Sequence, residues 1–405
     1  MLVHVGVTAG LVGLAGCGDC GAGSRANLDA GTAADTAVVA ADTRHADARK
    51  AYVPPKRPPL AAPHRILKRP RNQAELPTTD WASYSTNVRG QMKSTRAAFK
   101  AAPVSPASRR QVGWRVYTWA ELHQDPAHYA EVVEIASGGD AALPGAELLL
   151  MRAEGNFGLG RAKEALADLA GAEIRGSKSR RIQSLRAELQ WHLNRDEAAQ
   201  KAMRDELAAR PGVHVLGRVG QMEWELGNVE EAERLFATAE TKITNTAPAP
   251  VAWLSVQRGL LHLEQGRTDE ALKFLRAAHE RGTGYPMAIA ALSRGELTAG
   301  NPGRAIELME PLVRDWPQPG HQLLLAQAYK AADRSEDALR TLADAGRACE
   351  GLYPKYKEAV AADCAEVAIA RGNSAGARTY GEAAVASSPS RANRARLAAM
   401  MPSAP

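Results

Sequence analysis

Gly227-Asn-Val-Glu-Glu-Ala-Glu-Arg-Leu-Phe-Ala-Thr-Ala239 is the stretch on which the predicted fold depends. Its glycine suits a tight turn, because glycine adopts left-handed backbone angles without a steric penalty. Ala232, Phe236 and Ala239 then follow at the i, i+4 and i+7 spacing that places side chains on one face of a helix. The stretch therefore predicts a turn followed by a helix that presents small and large residues to a neighbour.

The same pattern occurs seven times along the chain at nearly regular intervals, two of which are longer than the others. Its small residue falls at Ala165, Ala199, Ala232, Ala271, Ala305, Ala338 and Ala377. Five positions earlier stand the expected turn residues Gly160, Asn194, Gly227, Gly266, Gly300, Asp333 and Gly372. Twelve positions earlier every site holds Ala, Gly or Ser, so two helix axes can approach closely in each unit.

A helix–turn–helix unit that repeats about every 34 residues resembles the tetratricopeptide repeat. The resemblance implies an all-α protein, a right-handed α-solenoid of about seven helix hairpins. We assign the repeats to residues 146–179, 180–212, 213–251, 252–285, 286–318, 319–357 and 358–389. Residues 111–145 resemble a degenerate first repeat, with Trp114 at the family's first-helix tryptophan position. The two longer intervals are attributed to extended connections, over Asn245–Pro250 and Cys349–Pro354.

The N-terminal part of the chain has a different composition. Residues 14–17, Leu-Ala-Gly-Cys, follow an apolar run and resemble the lipobox of bacterial lipoproteins. The resemblance implies a signal peptide over residues 1–16 and a lipid on Cys17, which becomes the mature N-terminus. Residues 17–79 are rich in Ala, Pro and Arg, and lack the periodic apolar residues that would offset the entropy of ordering. We predict that they form a disordered tether.

The remaining sequence divides into a helix and the solenoid. Residues 80–110 are predicted to form a basic amphipathic helix that covers one end of the solenoid, ended by Pro103 and Pro106. The alternative is that this helix lies on a membrane surface or docks on a partner. Residues 111–401 are predicted to form the solenoid, closed by a short C-terminal capping helix.

Charge is unevenly distributed in this chain of 405 residues with a net charge of +6. Seven basic residues and no acidic one stand between Lys50 and Arg71. The simpler interpretation of this run is a solvated, self-repelling linker. The alternative is an electrostatic contact with an anionic surface.

The motif search finds no catalytic constellation and no metal-ligand spacing. We therefore expect neither enzymatic activity nor a cofactor or metal. In the family that this chain resembles, the first helix of each repeat lines a concave groove. Mapped onto this sequence, the candidate partner-binding groove consists of Glu154, Phe157, Glu188, Trp191, Gln221, Trp224, Trp253, Arg294 and Gln327. The alternative is that Phe157, Trp191 and Trp224 belong to the packed core.

These features together favour a non-catalytic, lipid-anchored interaction scaffold of the bacterial cell envelope. It would bind peptides or helices of other envelope proteins in its groove, as an outer-membrane lipoprotein that faces the periplasm. The membrane contact would be the N-terminal lipid, and no nucleic acid partner is expected. The alternative function is a structural tether whose basic Pro/Arg segment contacts anionic cell-wall or membrane surfaces.

Cys349 and Cys364 require a separate prediction. If a helix ends near Cys349 and its antiparallel neighbour begins near Pro354, the two cysteines are offset by roughly 13 Å along the helix axes. A disulfide needs Cα atoms within about 7 Å. We therefore expect two free thiols.

Overall fold

The computed structural model describes residues 78–101, 105–138, 145–244 and 247–400. This part of the chain consists of helices, turns and short loops, and it contains no strand. None of the helices described is long and apolar enough to cross a membrane. The predicted signal peptide, Cys17 and the tether up to residue 77 lie outside the described residues.

The described residues form seventeen helices, which are arranged as hairpins between the first helix and the last. The helices are α1 Trp81–Ala101, α2 Pro106–His123, α3 Pro126–Ser137, α4 Ala146–Gly158, α5 Ala162–Ile174, α6 Arg180–Asn194, α7 Glu197–Ala209, α8 Val213–Glu225, α9 Val229–Thr241, α10 Pro248–Glu264, α11 Thr268–Arg281, α12 Pro286–Thr298, α13 Pro302–Asp315, α14 Pro319–Ala331, α15 Ser335–Ala370, α16 Ser374–Ser387 and α17 Arg391–Met400. α15 is bent at Tyr356 and supplies two helices. From α2 to α16 the chain thus forms eight hairpins, numbered 1 to 8. The all-α solenoid of seven clear repeats and one degenerate repeat is confirmed.

The predicted helix over residues 80–110 is two helices. α1 ends at Ala101, and Pro106 begins α2 instead of ending a helix. Proline is tolerated at that position because the first helical N–H has no partner within the helix. Ser105 and Ser108 cap α2 reciprocally, each side chain accepting from the backbone N–H of the other.

Of the two predicted extended connections, the one over Cys349–Pro354 is wrong, and the one over Asn245–Pro250 is too long at its end, with residues 245–246 outside the described residues. α10 already begins at Pro248 and has 17 residues, whereas α8 has 13. Residues 349–354 are helical within α15, although Pro354 lies among them. The break in α15 comes later, at Tyr356, whose φ of −132° and ψ of 41° are not helical.

Six of the seven predicted turn residues have the expected left-handed backbone. Gly160, Gly227, Gly266, Gly300 and Gly372 have φ between 71° and 87°, and Asp333 has a φ of 59°. In hairpin 3 the left-handed residue is Arg195, with a φ of 56°, instead of Asn194. The reason is that α6 runs through Asn194 before it ends.

Small residues set the distance between the two helices of a hairpin, as the sequence predicted. A Cβ atom added to Gly220 would lie 2.8 Å from the ring of Phe236, and one added to Gly259 would lie 2.5 Å from Leu275. Both are shorter than Cβ contacts in real structures. Ala271, beside Gly259 on the facing helix, is fully buried. Any larger residue here has to separate the helices.

Cys349 and Cys364 form a disulfide, with Cα atoms 5.6 Å apart, so the prediction of two free thiols is wrong. The geometric argument failed because the first arm of α15 continues beyond Cys349 to the bend at Tyr356. Cys349 lies seven positions before the bend and Cys364 eight positions after it. The two cysteines are therefore level with each other on the two arms.

The solenoid is wound so tightly that distant hairpins touch. Trp81 at the start of α1 packs on Tyr285 beside hairpin 6, with ring centroids 5.3 Å apart. His123 at the end of α2 stacks on Trp316 at the end of α13, at 4.2 Å. The predicted role of α1 as a cover at one end is therefore incomplete, since it also connects hairpin 1 with hairpin 6.

The C-terminal hairpins make the corresponding contacts with hairpins 2 and 3. Arg161 Nε lies 3.6 Å from Oε2 of Glu358, just after the bend in α15. Arg195 Nη2 donates to Ser388 Oγ at 3.2 Å, across 193 residues of sequence. Hairpins 1, 2 and 3 thus meet hairpins five or six positions later, and the solenoid closes on itself.

Ala271→Leu is expected to lower the free energy of unfolding by about 1–3 kcal/mol, because overpacking forces apart two helices that are in contact. Denaturant unfolding followed by circular dichroism measures the change. Glu270→Ala is the matched control, since Glu270 is exposed and exposed substitutions change stability by about 0.5 kcal/mol or less. Equal losses for both variants would contradict the assigned repeat register.

Candidate partner-binding surface

An ionic ladder connects the first helices of successive hairpins on the inner side of the solenoid. The Tyr117 hydroxyl on α2 lies 3.2 Å from Oε2 of Glu154 on α4. Arg181 on α6 donates to both oxygens of Glu154, from Nε at 2.6 Å and from Nη2 at 3.1 Å. Glu154 is only 1% exposed, so its carboxylate is shielded from water, while Arg181 is half-buried.

The ladder continues from α6 to α10. Arg218 Nε on α8 lies 2.8 Å from Oε1 of Glu188 on α6. Arg218 Nη1 donates to Gln221 Oε1 at 2.8 Å, and Gln221 Nε2 donates to Gln257 Oε1 on α10 at 2.9 Å. We call these residues the inner ladder: Tyr117, Glu154, Arg181, Glu188, Arg218, Gln221 and Gln257.

Burial and neighbouring charges shift the pKa values in the ladder. Burial raises the pKa of the Glu188 carboxyl, while Arg218 and Arg181 oppose that shift. Burial alone would lower the pKa of Arg181, but the Glu154 carboxylate raises it above its usual value. Burial, with Arg181 and Arg218 adding to the effect, holds the pKa of His214 well below 6.5. Glu154 thus pairs with Arg181 and Glu188 with Arg218, and the His214 imidazole beside them is neutral at pH 7.

Most of the predicted groove residues are therefore inside the protein. Glu154, Glu188 and Gln221 belong to the inner ladder, and Trp253 lies beneath Arg218, whose guanidinium is 5.3 Å from the ring centroid. The charged groups of the inner ladder are already paired with each other, so they do not offer free contacts to a ligand. For these residues the partner-binding role stays a prediction, and in the folded protein they are covered.

The aromatic residues of the candidate groove belong mostly to the core. Phe157 and Trp191 are 3% and 5% exposed and pack in two separate apolar clusters. The C-terminal hairpin reaches the residue next to Trp191: His192 lies against the Ser387 backbone, and its ring is 5.4 Å from that of Phe157. The structure supports the alternative in which these two aromatics are packed core.

Trp224 differs from the other aromatics because it is half-buried. Its column, three positions before each turn residue, continues with the half-buried Leu263 on α10 and Leu297 on α12. All three border the apolar clusters of the middle hairpins. We call Trp224, Leu263 and Leu297 the apolar row. Beyond it the column holds Lys330, which is exposed, and Ile369, which is 46% exposed.

Arg294 and Gln327 complete the predicted groove, on α12 and α14. Both are half-buried, so they are more accessible than the ladder residues. The structure thus divides the nine predicted residues into two groups. Six are buried, and Trp224, Arg294 and Gln327 are accessible on the middle and later hairpins.

Sequence reasoning missed the two arginines that neutralise the buried glutamates. Glu154, Glu188 and Gln221 occupy equivalent positions in three successive repeats. A carboxylate that is buried in the interior needs a cation nearby. Arg181 stands near the start of the first helix that follows Glu154, and Arg218 stands on the first helix that follows Glu188. An arginine on the next first helix in each case was the available signal.

No family model matches the sequence, and no curated protein matches it. Among solved structures, a tetratricopeptide repeat protein from Parabacteroides merdae is similar over 63% of this chain and 98% of its own, with 14% identity and a TM-score of 0.40. PilW, described as a widely conserved type IV pilus biogenesis factor, covers 52% of this chain and 94% of its own, with 20% identity and a TM-score of 0.41. The human IFIT1 dimer with m7Gppp-AAAA covers 81% and 82%, with 13% identity and a TM-score of 0.49. At these identities and scores the likenesses assign no activity or partner to this chain.

His123 makes stability depend on pH, because it lies between Trp119 and Trp316 at ring distances of 3.9 and 4.2 Å. Burial lowers its pKa from 6.5 to about 4, although its bond to the Trp119 carbonyl and Asp125 oppose the shift. The unfolded chain therefore binds more protons between pH 6.5 and 4. The contribution of this group to stability is expected to be complete above pH 6.5 and to fall by about 3 kcal/mol as the pH drops through 4.

His123→Phe keeps an aromatic ring between the two tryptophans and removes the imidazole group that can be protonated. The slope of unfolding free energy against pH between 6.5 and 4 should then decrease by the equivalent of up to one proton. Urea unfolding at several pH values measures the slope in both proteins. An unchanged slope would show that His123 does not contribute to the pH dependence, which would then come from other buried histidines such as His192.

Proposed function

We propose that this protein is a non-catalytic interaction scaffold that binds a peptide or helix of another protein along its apolar row. The observation that carries the proposal is the exposure of that row. Trp224, Leu263 and Leu297 are half-buried at equivalent positions on three successive first helices, while the equivalent Phe157 and Trp191 are covered. Aromatic and large apolar side chains in such settings carry much of the energy of protein interfaces.

The surroundings of the row give a linear ligand polar contacts at its edges. The Trp224 indole N–H donates to Oε2 of Glu264, and Arg391 Nη2 on α17 donates to Oε1 of the same carboxylate at 3.3 Å. Lys330 stands further along the column and is exposed. An amphipathic segment with apolar residues toward the row and charges at its rim fits this arrangement.

The proposal includes a place in the cell. The sequence pattern around Cys17 supports a lipid anchor in the bacterial envelope, with the scaffold facing the periplasm and other envelope proteins as partners. The disulfide between Cys349 and Cys364 is compatible with that setting, since disulfides persist in oxidising compartments. An outer-membrane lipoprotein is the specific form that we propose.

Cys17→Ser is expected to release the protein from the membrane fraction, because the thiol that would carry the lipid is lost. Fractionation of cells that express wild type or variant, followed by immunoblotting, measures the distribution. Cys20→Ser is the matched control and should stay with the membrane. A wild-type protein that is soluble, or whose purified N-terminus precedes Cys17, would contradict lipid anchoring.

Leu263→Arg is expected to weaken binding of the partner by about tenfold or more, since loss of a central interface contact typically costs about 1–2 kcal/mol or more. Crosslinking in intact cells followed by mass spectrometry identifies the partner, and titration with the purified partner then measures the affinity. Trp224→Ala should give a loss of the same order.

Leu339→Arg is the matched control, because Leu339 is a leucine that is 70% exposed on α15, outside the column. It should leave the affinity unchanged. Thermal unfolding of each variant separates lost binding from lost fold. Full affinity of a folded Leu263→Arg variant would contradict the apolar row as the binding surface.

A further inference from the structure

The bent helix α15 carries a feature that the scaffold function does not require. Its first arm pairs with α14 in hairpin 7, and its second arm pairs with α16 in hairpin 8. Cys349 on the first arm is joined to Cys364 on the second, and both are at most 2% exposed. The disulfide therefore fixes the angle between the two C-terminal hairpins.

The bend at Tyr356 contacts the N-terminal half of the solenoid. We call the turn between α4 and α5, together with the adjoining core of hairpin 1, the seat of the bend. Gly160, in the turn between α4 and α5, lies so close to Glu358 that an added Cβ would be 3.1 Å from its Cβ and backbone oxygen. Arg161 pairs with the same glutamate at 3.6 Å. Tyr356 packs against the apolar core of hairpin 1 and also against the cluster that contains the two cysteines.

Two polar and aromatic contacts also join the first arm to hairpin 8: Arg371 Nη1 lies 3.7 Å from Glu350 Oε1, and the Tyr353 and Tyr380 rings are 4.6 Å apart. The bend interrupts the helix at Tyr356, and Pro354 has no N–H to donate to the preceding turn. Between the arms themselves the largest apolar contact is the cluster around the cysteines, which includes Leu323, Val360 and Val367. The covalent bond lies inside this cluster, level on both arms, where it limits how far they can separate.

We infer that the Cys349–Cys364 disulfide is a redox-sensitive lock on the closed form of the solenoid. While the bond is intact, the bend stays seated on the turn between α4 and α5. When the bond is reduced, the arms separate and the bend leaves its seat. Hairpins 7 and 8 then move away from hairpins 2 and 3, and the buried side of the early hairpins opens.

The reducing agent is a dithiol protein or small molecule. One of its thiolates attacks a cysteine sulfur and breaks the S–S bond, which gives a mixed disulfide. Its second thiol then displaces the remaining cysteine. Two electrons and two protons pass to Cys349 and Cys364, and the dithiol becomes a disulfide.

Hydrogen exchange of the purified full-length protein, oxidised and after treatment with dithiothreitol, tests the lock. Reduction should speed amide exchange by roughly a hundredfold in α3 and in residues 155–162, the segments at the seat of the bend. That factor corresponds to the entropy of a crosslink that closes a loop of about 15 residues. Peptide-resolved thiol labelling confirms that Cys349 and Cys364 have been reduced.

Two variants keep the inference testable if reduction also affects local packing. Cys349→Ala with Cys364→Ala should exchange like the reduced protein. Tyr356→Ala, which leaves the disulfide intact and removes the ring from the seat, should also open residues 155–162. Leu339→Ala, on the exposed side of the same helix, should not.

Three results would overturn the lock. Faster exchange confined to residues 335–387 after reduction would show that the disulfide stabilises only its own hairpins. Unchanged exchange throughout would show that the arms keep their angle without the bond. If Cys349 and Cys364 stay disulfide-bonded in the folded protein under dithiothreitol, the bond cannot act as a redox switch. None of these experiments needs a partner, so they do not depend on the proposed function.

Discussion

The close approach of the two helices within each hairpin is the constraint on which the rest of the structure depends. Gly220 faces Phe236 and Gly259 faces Leu275 at distances that leave no room for a Cβ atom. In a solenoid each unit packs on its neighbours with a fixed rotation, and these rotations add along the chain. Narrow hairpins with a repeated contact geometry therefore produce a tight superhelix. In this chain it closes after about five hairpins.

Closure turns a surface that is open in an extended solenoid into an interior. The acidic side chains of the early first helices lose water, and each needs a guanidinium group from the next hairpin. Buried ion pairs contribute little net stability, because desolvation offsets much of their attraction, but an unpaired partner is costly. The pairs Glu154–Arg181 and Glu188–Arg218 therefore specify how the first helices stack. A shift by one helical turn would separate both pairs and leave Glu154, Glu188 and Arg218 buried without their partners.

The sequence predicted what depends on contacts within a repeat and between adjacent repeats. The hairpins, their register and six of the seven left-handed turn residues follow from the period alone. Closure depends on contacts such as Arg195 with Ser388, 193 residues apart, which have no trace in a repeat pattern. For that reason the sequence placed Phe157, Trp191 and Trp224 in one column but left open which of them line a groove and which belong to the core. The cysteine pairing was missed for a local reason: residues 349–354 were taken as a connection, and a helix that contains Pro354 is an exception to the usual effect of proline.

The position of the apolar row follows from the same geometry. Hairpins 1, 2 and 3 are covered because hairpins 6, 7 and 8 lie five or six positions further along the chain. Hairpins 4, 5 and 6 carry Trp224, Leu263 and Leu297, and in the described residues only α17 follows hairpin 8. α17 reaches the edge of this region through Arg391 and Glu264 and leaves the three apolar side chains half-exposed. One column of equivalent residues thus becomes core in its first part and surface in its middle part. A superhelix that closes after five hairpins and contains eight leaves that middle part uncovered.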